Sequence, residues 1–242
     1  MRLDKFISSQ GNLSRTDVKK LIKQGAVTVD GTVAARPEMQ IEPEKVQVCV
    51  DGQVLSYKEH IYIMLNKPEG VVSATEDAEH KTVIDLVPDD LKRDGLFPAG
   101  RLDGDTTGFV LITDDGDFAH RILSPKNHIQ KTYIAVLAAP ITEDNISELE
   151  EGIQLRDGTR CLPAIVNEIG PREVEIKICE GKYHQIKRMF AAGGNKVVEL
   201  KRIAMGGLSL DENLSPGECR EITKDELLLV ESAELEQSYV QN

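Results

Sequence analysis

The chain has 242 residues, a formal net charge of −12 at pH 7, and 40% hydrophobic and 29% charged residues. That length suits one mid-sized domain plus a small one, and no run approaches the ~18 consecutive apolar residues of a membrane span, so the composition predicts a soluble globular protein with no membrane partner. Cys49, Cys161, Cys179 and Cys219 form no CxxC pair and the five histidines are scattered, which argues against a disulfide framework or a zinc site and predicts reduced, buried thiols and no metal.

The N-terminus MRLDKFISSQ has charge among its apolar positions and no continuous apolar run, unlike a secretory signal, and it reads as the first turns of a fold in a cytoplasmic protein. Leu3, Phe6 and Ile7 lie at helical spacing, and Ser14-Arg-Thr-Asp17 resembles a capping box opening a second helix, Thr16 to Gln24, stopped by Gly25. AVTVDGTV then alternates and turns at Asp30-Gly31, and VQVCVDGQVL (46–55) repeats the pattern at Asp51-Gly52. Asp-Gly between alternating segments is a strong hairpin signal. Ser56 to His60 reads as a polar linker.

From residue 61 strands are expected at 61–65, 108–113, 131–137, 164–169 and 174–179. Short helices are expected at Thr82–Leu86, Asp117–Leu123, Ile141–Glu151, His184–Ala192 and Lys224–Val230, the last capped by Thr223 and Glu226. Strands outnumber helices without strict alternation, so the fold class is α+β with a mixed, mostly antiparallel sheet.

Charge is unevenly spread. Residues 1–25 carry six basic residues against Asp4 and Asp17, and residues 181–202 carry six against Glu199 alone. Two basic islands in an acidic chain can focus a polyanion onto selected faces.

Three stretches hold chemistry-bearing residues. The turn Gly100-Arg-Leu-Asp-Gly-Asp-Thr-Thr-Gly108 precedes the apolar FVLIT, and loops at strand ends are where sites live. It fits a surface turn with Asp and Thr side chains bonded to their own backbone. It also fits a calcium loop, with Asp103, Asp105, Gly108 and Asp114 in ligand register but no terminal Glu. A third fit is a catalytic Asp103 kept ionised by Arg101 or a distant cation. The second stretch, Gly181-Lys-Tyr-His-Gln-Ile-Lys-Arg-Met-Phe190, is a glycine turn entering an amphipathic helix with Ile186, Met189 and Phe190 on its apolar face. Lys187 and Arg188 suit a solvated face or a contact to carboxylate or phosphate, and His184 alone reads as a structural histidine. In the third, Lys131-Thr-Tyr133 opens a strand. With no Trp and 4% aromatics, Tyr133 is one of few rings able to stack on an unstacked base.

GRLDGDTTGFVLITDDG, KTYIAVL and GKYHQIKRMFAAGGNKVVELKR, in that order, with Asn66-Lys-Pro-Glu-Gly70 ahead of them, resemble the signature segments of the RsuA-type ribosomal RNA pseudouridine synthases. Residues 1–31 similarly resemble the RNA-binding module named after ribosomal protein S4. The resemblance implies that Asp103 acts at the ribose to break the base–sugar bond. It implies that Tyr133 stacks on the target base and assists loss of the proton from carbon 5, that Lys187 is the basic partner of Asp103, and that Arg101 contacts the flipped nucleotide. Leu208 or Leu210 would pack the pocket.

The expected organisation is an S4-like RNA-binding domain at 1–58, a catalytic domain at 59–232 and a disordered tail at 233–242. Arg2, Lys5, Arg15, Lys19, Lys20, Lys23 and Arg188 are the expected RNA contacts. The expected partner is ribosomal RNA, naked or in an assembly intermediate carrying ribosomal proteins, met by a monomer that uses no cofactor. The run 187–218 looks closer to the small-subunit branch, with a large-subunit synthase as the alternative. Rivals from other classes are a non-catalytic ribosome-assembly protein, which need not keep Asp103, Tyr133 and Lys187 together, and a glycosidase using Asp103 and Asp105, whose carboxylates would have to face one another across a sugar.

Overall fold

A computed structural model of the chain describes residues 1–11 and 13–232, so the expected disordered tail lies outside the described residues. The chain forms two compact units, Met1–Ile61 with Val87–Leu96, and Tyr62–Leu86 with the chain from Phe97 onward. No helix among the described residues is long and apolar enough to cross a membrane.

In the first unit α1 spans Leu3–Ser9 and α2 spans Arg15–Lys23. The Ser14 hydroxyl accepts from the Asp17 backbone N–H and donates to the Asp17 carboxylate, which caps α2. Strands β1 (Val27–Val29) and β2 (Thr32–Val33) meet at Asp30-Gly31, and β3 (Val48–Val50) and β4 (Gln53–Leu55) at Asp51-Gly52. All four turn residues have φ between 49° and 79°, the left-handed pair a two-residue hairpin needs to match strand twist. The antiparallel order is β2-β1-β3-β4, and Leu3, Phe6, Ile7, Val18 and Ile22 from the helices share a core with Val27, Val29 and Val48. The 87–96 excursion is tied back by Arg93, whose guanidinium donates to the carbonyls of Lys58 and Glu59.

The second unit holds β5 (Tyr62–Lys67), β6 (Phe97–Pro98), β7 (Thr106–Thr113), β8 (Lys131–Leu137), β9 (Ile165–Gly170), β10 (Glu173–Ile178), β11 (Val197–Met205), β12 (Leu208–Ser209) and β13 (Cys219–Glu221). Its helices are α3 (Gly116–Leu123), α4 (Glu143–Glu150), α5 (Gln185–Ala192) and α6 (Lys224–Glu231). The sheet runs β13-β5-β7-β11-β8-β10-β9, with β6 on β7 and β12 on β11. Of the pairings between these strands among the described residues only β7–β11 is parallel, so the sheet is mixed and mostly antiparallel as expected.

Three expectations are corrected. Thr82–Leu86 is a single 3-10 turn at Ile84–Leu86 rather than a helix. All four thiols are free, but only Cys161 is buried, with Cys49, Cys179 and Cys219 half-buried. The central strand β11 was not anticipated, because Glu199, Lys201 and Arg202 interrupt its apolar pattern. Arg202 is nevertheless buried, its Nε donating to the Phe109 carbonyl at 2.7 Å, a bond that offsets part of the desolvation of its charge.

Strand β7 organises the core. Phe109 and Leu111 join Phe118, Ala119 and Ile122 of α3, Met205 of β11 and Val230 of α6 in one cluster, while Val110 and Ile112 on the opposite face are also fully buried. Burial on both faces explains why FVLI is unbroken by polar residues. Gly108 sits at φ 97° opposite Arg202, and a Cβ there would lie 2.2 Å from the Arg202 carbonyl oxygen. The close parallel approach therefore requires glycine. Among the described residues, Thr106 Oγ1 and Arg202 Nη2, on these same two strands, are buried without a hydrogen-bond partner.

At the other end of the unit, Thr223 and Glu226 form the capping box of α6, and Arg220 donates to both Glu226 oxygens and to Asp211. The Arg220 hydrogen bonds, helped by Thr223 and opposed by burial, hold the Glu226 carboxyl down at about 2. A lowered folded-state pKa stabilises above the ordinary carboxyl range and ceases to do so as pH falls through about 2. Glu226→Gln should therefore lose about 1.5–3 kcal/mol in urea unfolding at neutral pH. That deficit should shrink below about pH 4.5 and vanish near pH 2; a deficit independent of pH would contradict the role of Arg220. Gly108→Ala should destabilise by at least about 2 kcal/mol from overpacking and backbone strain. Wild-type melting of that variant would contradict the close contact.

Candidate active site

Asp103 lies in the turn between β6 and β7, and that turn is held on both sides. Ser73 Oγ donates to the Leu102 carbonyl and accepts from the Leu102 N–H, both at 3.0 Å. On the other side Lys67, ending β5, is fully buried and its Nζ donates to the carbonyls of Pro68, Gly104 and Thr106 at 3.0, 3.2 and 2.8 Å. The Gly70 N–H adds a bond to the Gly104 carbonyl. Burial lowers the Lys67 pKa to about 8 against the raising influence of Asp105 and Asp103, so the ammonium still predominates at neutral pH. The three carbonyls give that buried charge its hydrogen bonds, and in return it fixes the residues flanking Asp103.

The second anchor is electrostatic. Lys187 of α5 places its Nζ 2.9 Å from Asp103 Oδ2 and 2.5 Å from Asp105 Oδ1. Burial works to lower the Lys187 pKa, but the hydrogen bonds to Asp105 and Asp103 outweigh it and hold the ammonium above its ordinary value. The same contact holds the Asp105 carboxyl below the usual range. His184 Nε2 lies 3.5 Å from Asp103 Oδ1. Helix α5 is seated by Ile186, Met189 and Phe190, all buried as the apolar spacing implied. Its entry is closed by Gln185, which accepts from the Lys182 N–H and donates to Glu180, and by the Lys182–Glu180 ion pair. The left-handed residue at this entry is His184, at φ 48°, rather than Gly181.

Arg101, Asp103 and Tyr133 line one pocket, with Thr106, His184 and Gln185 adding polar groups and Leu102, Ile178, Ile186 and Leu200 adding apolar wall. Tyr133 is 8% exposed, on β8 between Ile176 of β10 and Arg202 of β11. With Lys187 bonded to Asp103, the four residues expected at the reacting centre converge from three separate parts of the chain.

Other expectations fall elsewhere. Leu208 and Leu210 belong to the hydrophobic core with Met64 and Phe109 and do not line the pocket. The calcium-loop fit fails because Thr106–Thr113 is a strand. Arg188 is engaged by Asp157. With Lys182 on Glu180, Lys187 on two aspartates and Arg202 buried, the 181–202 island presents much less free charge than its sequence suggests. Arg2, Lys5, Arg15, Lys19, Lys20 and Lys23 are all exposed on the first unit, with Arg2 paired to Asp4 and Lys20 to Asp17. Two functional roles escaped the sequence pattern, the buried clamp at Lys67 and Asp105 as second partner of Lys187. A lysine closing the apolar strand YIMLNK was the one available signal for the first.

Known proteins similar to this chain identify its family. The family described as RNA pseudouridylate synthase matches residues 61–192, and the S4 domain matches residues 1–46. The chain is 44% identical to the ribosomal small subunit pseudouridine synthase A of Escherichia coli (strain K12), covering 95% of this chain and 100% of that protein. It is 47% identical to an RNA pseudouridine synthase of Bacillus subtilis (strain 168), over 95% of this chain and 98% of that one. A solved crystal structure of a pseudouridylate synthase superposes with a TM-score of 0.67 at 42% identity, covering 95% of this chain and 99% of that chain. The chain belongs to the RNA pseudouridylate synthase family.

Proposed function

We propose that this protein converts a uridine to pseudouridine in the RNA of the small ribosomal subunit, with Asp103 as the catalytic carboxylate. The observation that carries the reading is the Asp103 side chain, 27% exposed, ion-paired to Lys187 in a pocket that also holds Tyr133. The uridine must first leave the RNA stack to reach such a pocket. Asp103 then acts at the ribose as the bond between its anomeric carbon and N1 breaks. The freed base turns against the Tyr133 ring, the same ribose carbon bonds to C5, the C5 proton leaves and N1 gains one. The sequence of steps is redox-neutral and balances without an external reagent. Arg101 at the pocket edge contacts the flipped nucleotide or its phosphate.

The small-subunit target rests on the name and full-length coverage of the Escherichia coli relative. Residues 1–58 serve as the RNA-holding domain, through phosphate contacts from Arg2, Lys5, Arg15, Lys19, Lys20 and Lys23, and residues 59–232 as the catalytic domain. Ribosomal RNA as substrate suits the cytoplasm.

Asp103→Asn keeps size and shape while removing the charge. Incubated with small-subunit ribosomal RNA, it should lose activity by ~10⁴-fold or more, as removal of other reacting side chains does, while a gel-shift assay finds the RNA still bound. Pseudouridine formed by this variant at a rate near wild type would remove Asp103 from its role; wild-type enzyme that modifies large-subunit but not small-subunit RNA would move the target.

A further inference from the structure

Tyr183 is the most exposed large apolar side chain among the described residues, at 70%. An aromatic ring in that position is unusual material in a chain with no Trp and five Tyr. It does not lie loose. Its ring stacks on the His184 imidazole with centroids 3.8 Å apart and planes 18° from parallel. His184 is held in turn by a left-handed backbone at φ 48° as the residue capping α5, a conformation few non-glycine residues adopt. His184 lines the pocket and lies 3.5 Å from Asp103, whereas Tyr183 is not among the pocket-lining residues. The pair therefore runs outward from the pocket rim, with the inner ring beside the reacting carboxylate and the outer ring in solvent.

We propose that the Tyr183–His184 stack is a platform for a nucleobase of the RNA next to the uridine being modified. The inference rests on the functional reading above and identifies a binding contact which that reading lacks. A uridine drawn into the Asp103 pocket is separated from its neighbours, and the adjacent base loses a stacking partner. An exposed ring already ordered by a second ring replaces that partner at small entropic expense, and aromatic stacking is how proteins commonly hold unpaired bases of RNA. Because every base has a stacking face, the platform supplies affinity and orientation rather than base identity. Tyr183 is a binding residue and takes no part in the bond exchange.

The test compares wild type, Tyr183→Ala and Tyr183→Phe on transcribed small-subunit ribosomal RNA, with binding measured separately from pseudouridine formation. Tyr183→Ala should weaken binding and raise KM by about 5- to 150-fold, the range for loss of one stacked base, with kcat little changed. Tyr183→Phe, which keeps the ring, should behave as wild type. Once the modified uridine is mapped, an abasic nucleotide placed on one of its two sides should make wild type and Tyr183→Ala equivalent. Unchanged binding and KM in Tyr183→Ala, a Tyr183→Phe variant as impaired as Tyr183→Ala, or abasic substitutions that never remove the difference would each overturn the platform. An inactive wild type whose RNA binding still depends on the Tyr183 ring would instead overturn the functional reading and leave the platform standing.

Discussion

The Lys187 ammonium, shared between Asp103 and Asp105, is the interaction on which the site depends. It joins a helix late in the chain to a turn 84 residues earlier and holds the carboxylate of that turn at the pocket. Its two partners are not equivalent. Asp105 is 64% exposed and Asp103 27%. A unit-charge pair at about 4 Å is worth ~1 kcal/mol in bulk water and ~4 kcal/mol at the effective dielectric found near protein surfaces. The Asp103 contact is the less screened by solvent and the Asp105 contact is the shorter, so both hold the ammonium in place. One charge between two acids also lets Asp103 change its hydrogen bonding without leaving Lys187 unpaired.

That ion pair is effective because the backbone beneath it is fixed. Ser73 holds Leu102, Lys67 holds Gly104 and Thr106, and the glycine at 108 lets β7 approach β11 closely enough for Arg202 to bond the Phe109 carbonyl. The turn is consequently anchored immediately before and after Asp103, so the carboxylate is positioned by its surroundings before any RNA arrives. Preorganisation of this kind places charge where it is needed without reorganisation during the reaction.

Much of the fold was legible from local chemistry. The two Asp-Gly hairpins, the Ser14 cap and the Thr223–Glu226 box each depend on residues adjacent in sequence, and all are present. Strand β11 was illegible because its charged residues are reconciled by tertiary partners, Arg202 above all. Lys67 was illegible for the same reason, since nothing local indicates that three carbonyls wait for its ammonium. Local spacing also left Asp103 as one turn carboxylate among several possibilities. Only the family resemblance carried by five motifs in order along the chain tied it to Tyr133 and Lys187, and the fold brings those residues together. The 87–96 excursion joins the first unit through Arg93 and two backbone carbonyls, contacts that leave no periodic trace.

The importance of the Lys187 bridge is tested most directly by the single-turnover rate of Lys187→Met at saturating small-subunit ribosomal RNA, with the fold checked by thermal melting. A slightly misplaced reacting group can lower a rate by ~100-fold, and a fall of that order with RNA affinity retained is expected. A rate equal to that of wild type would contradict the assignment of this ion pair as the constraint that organises the site.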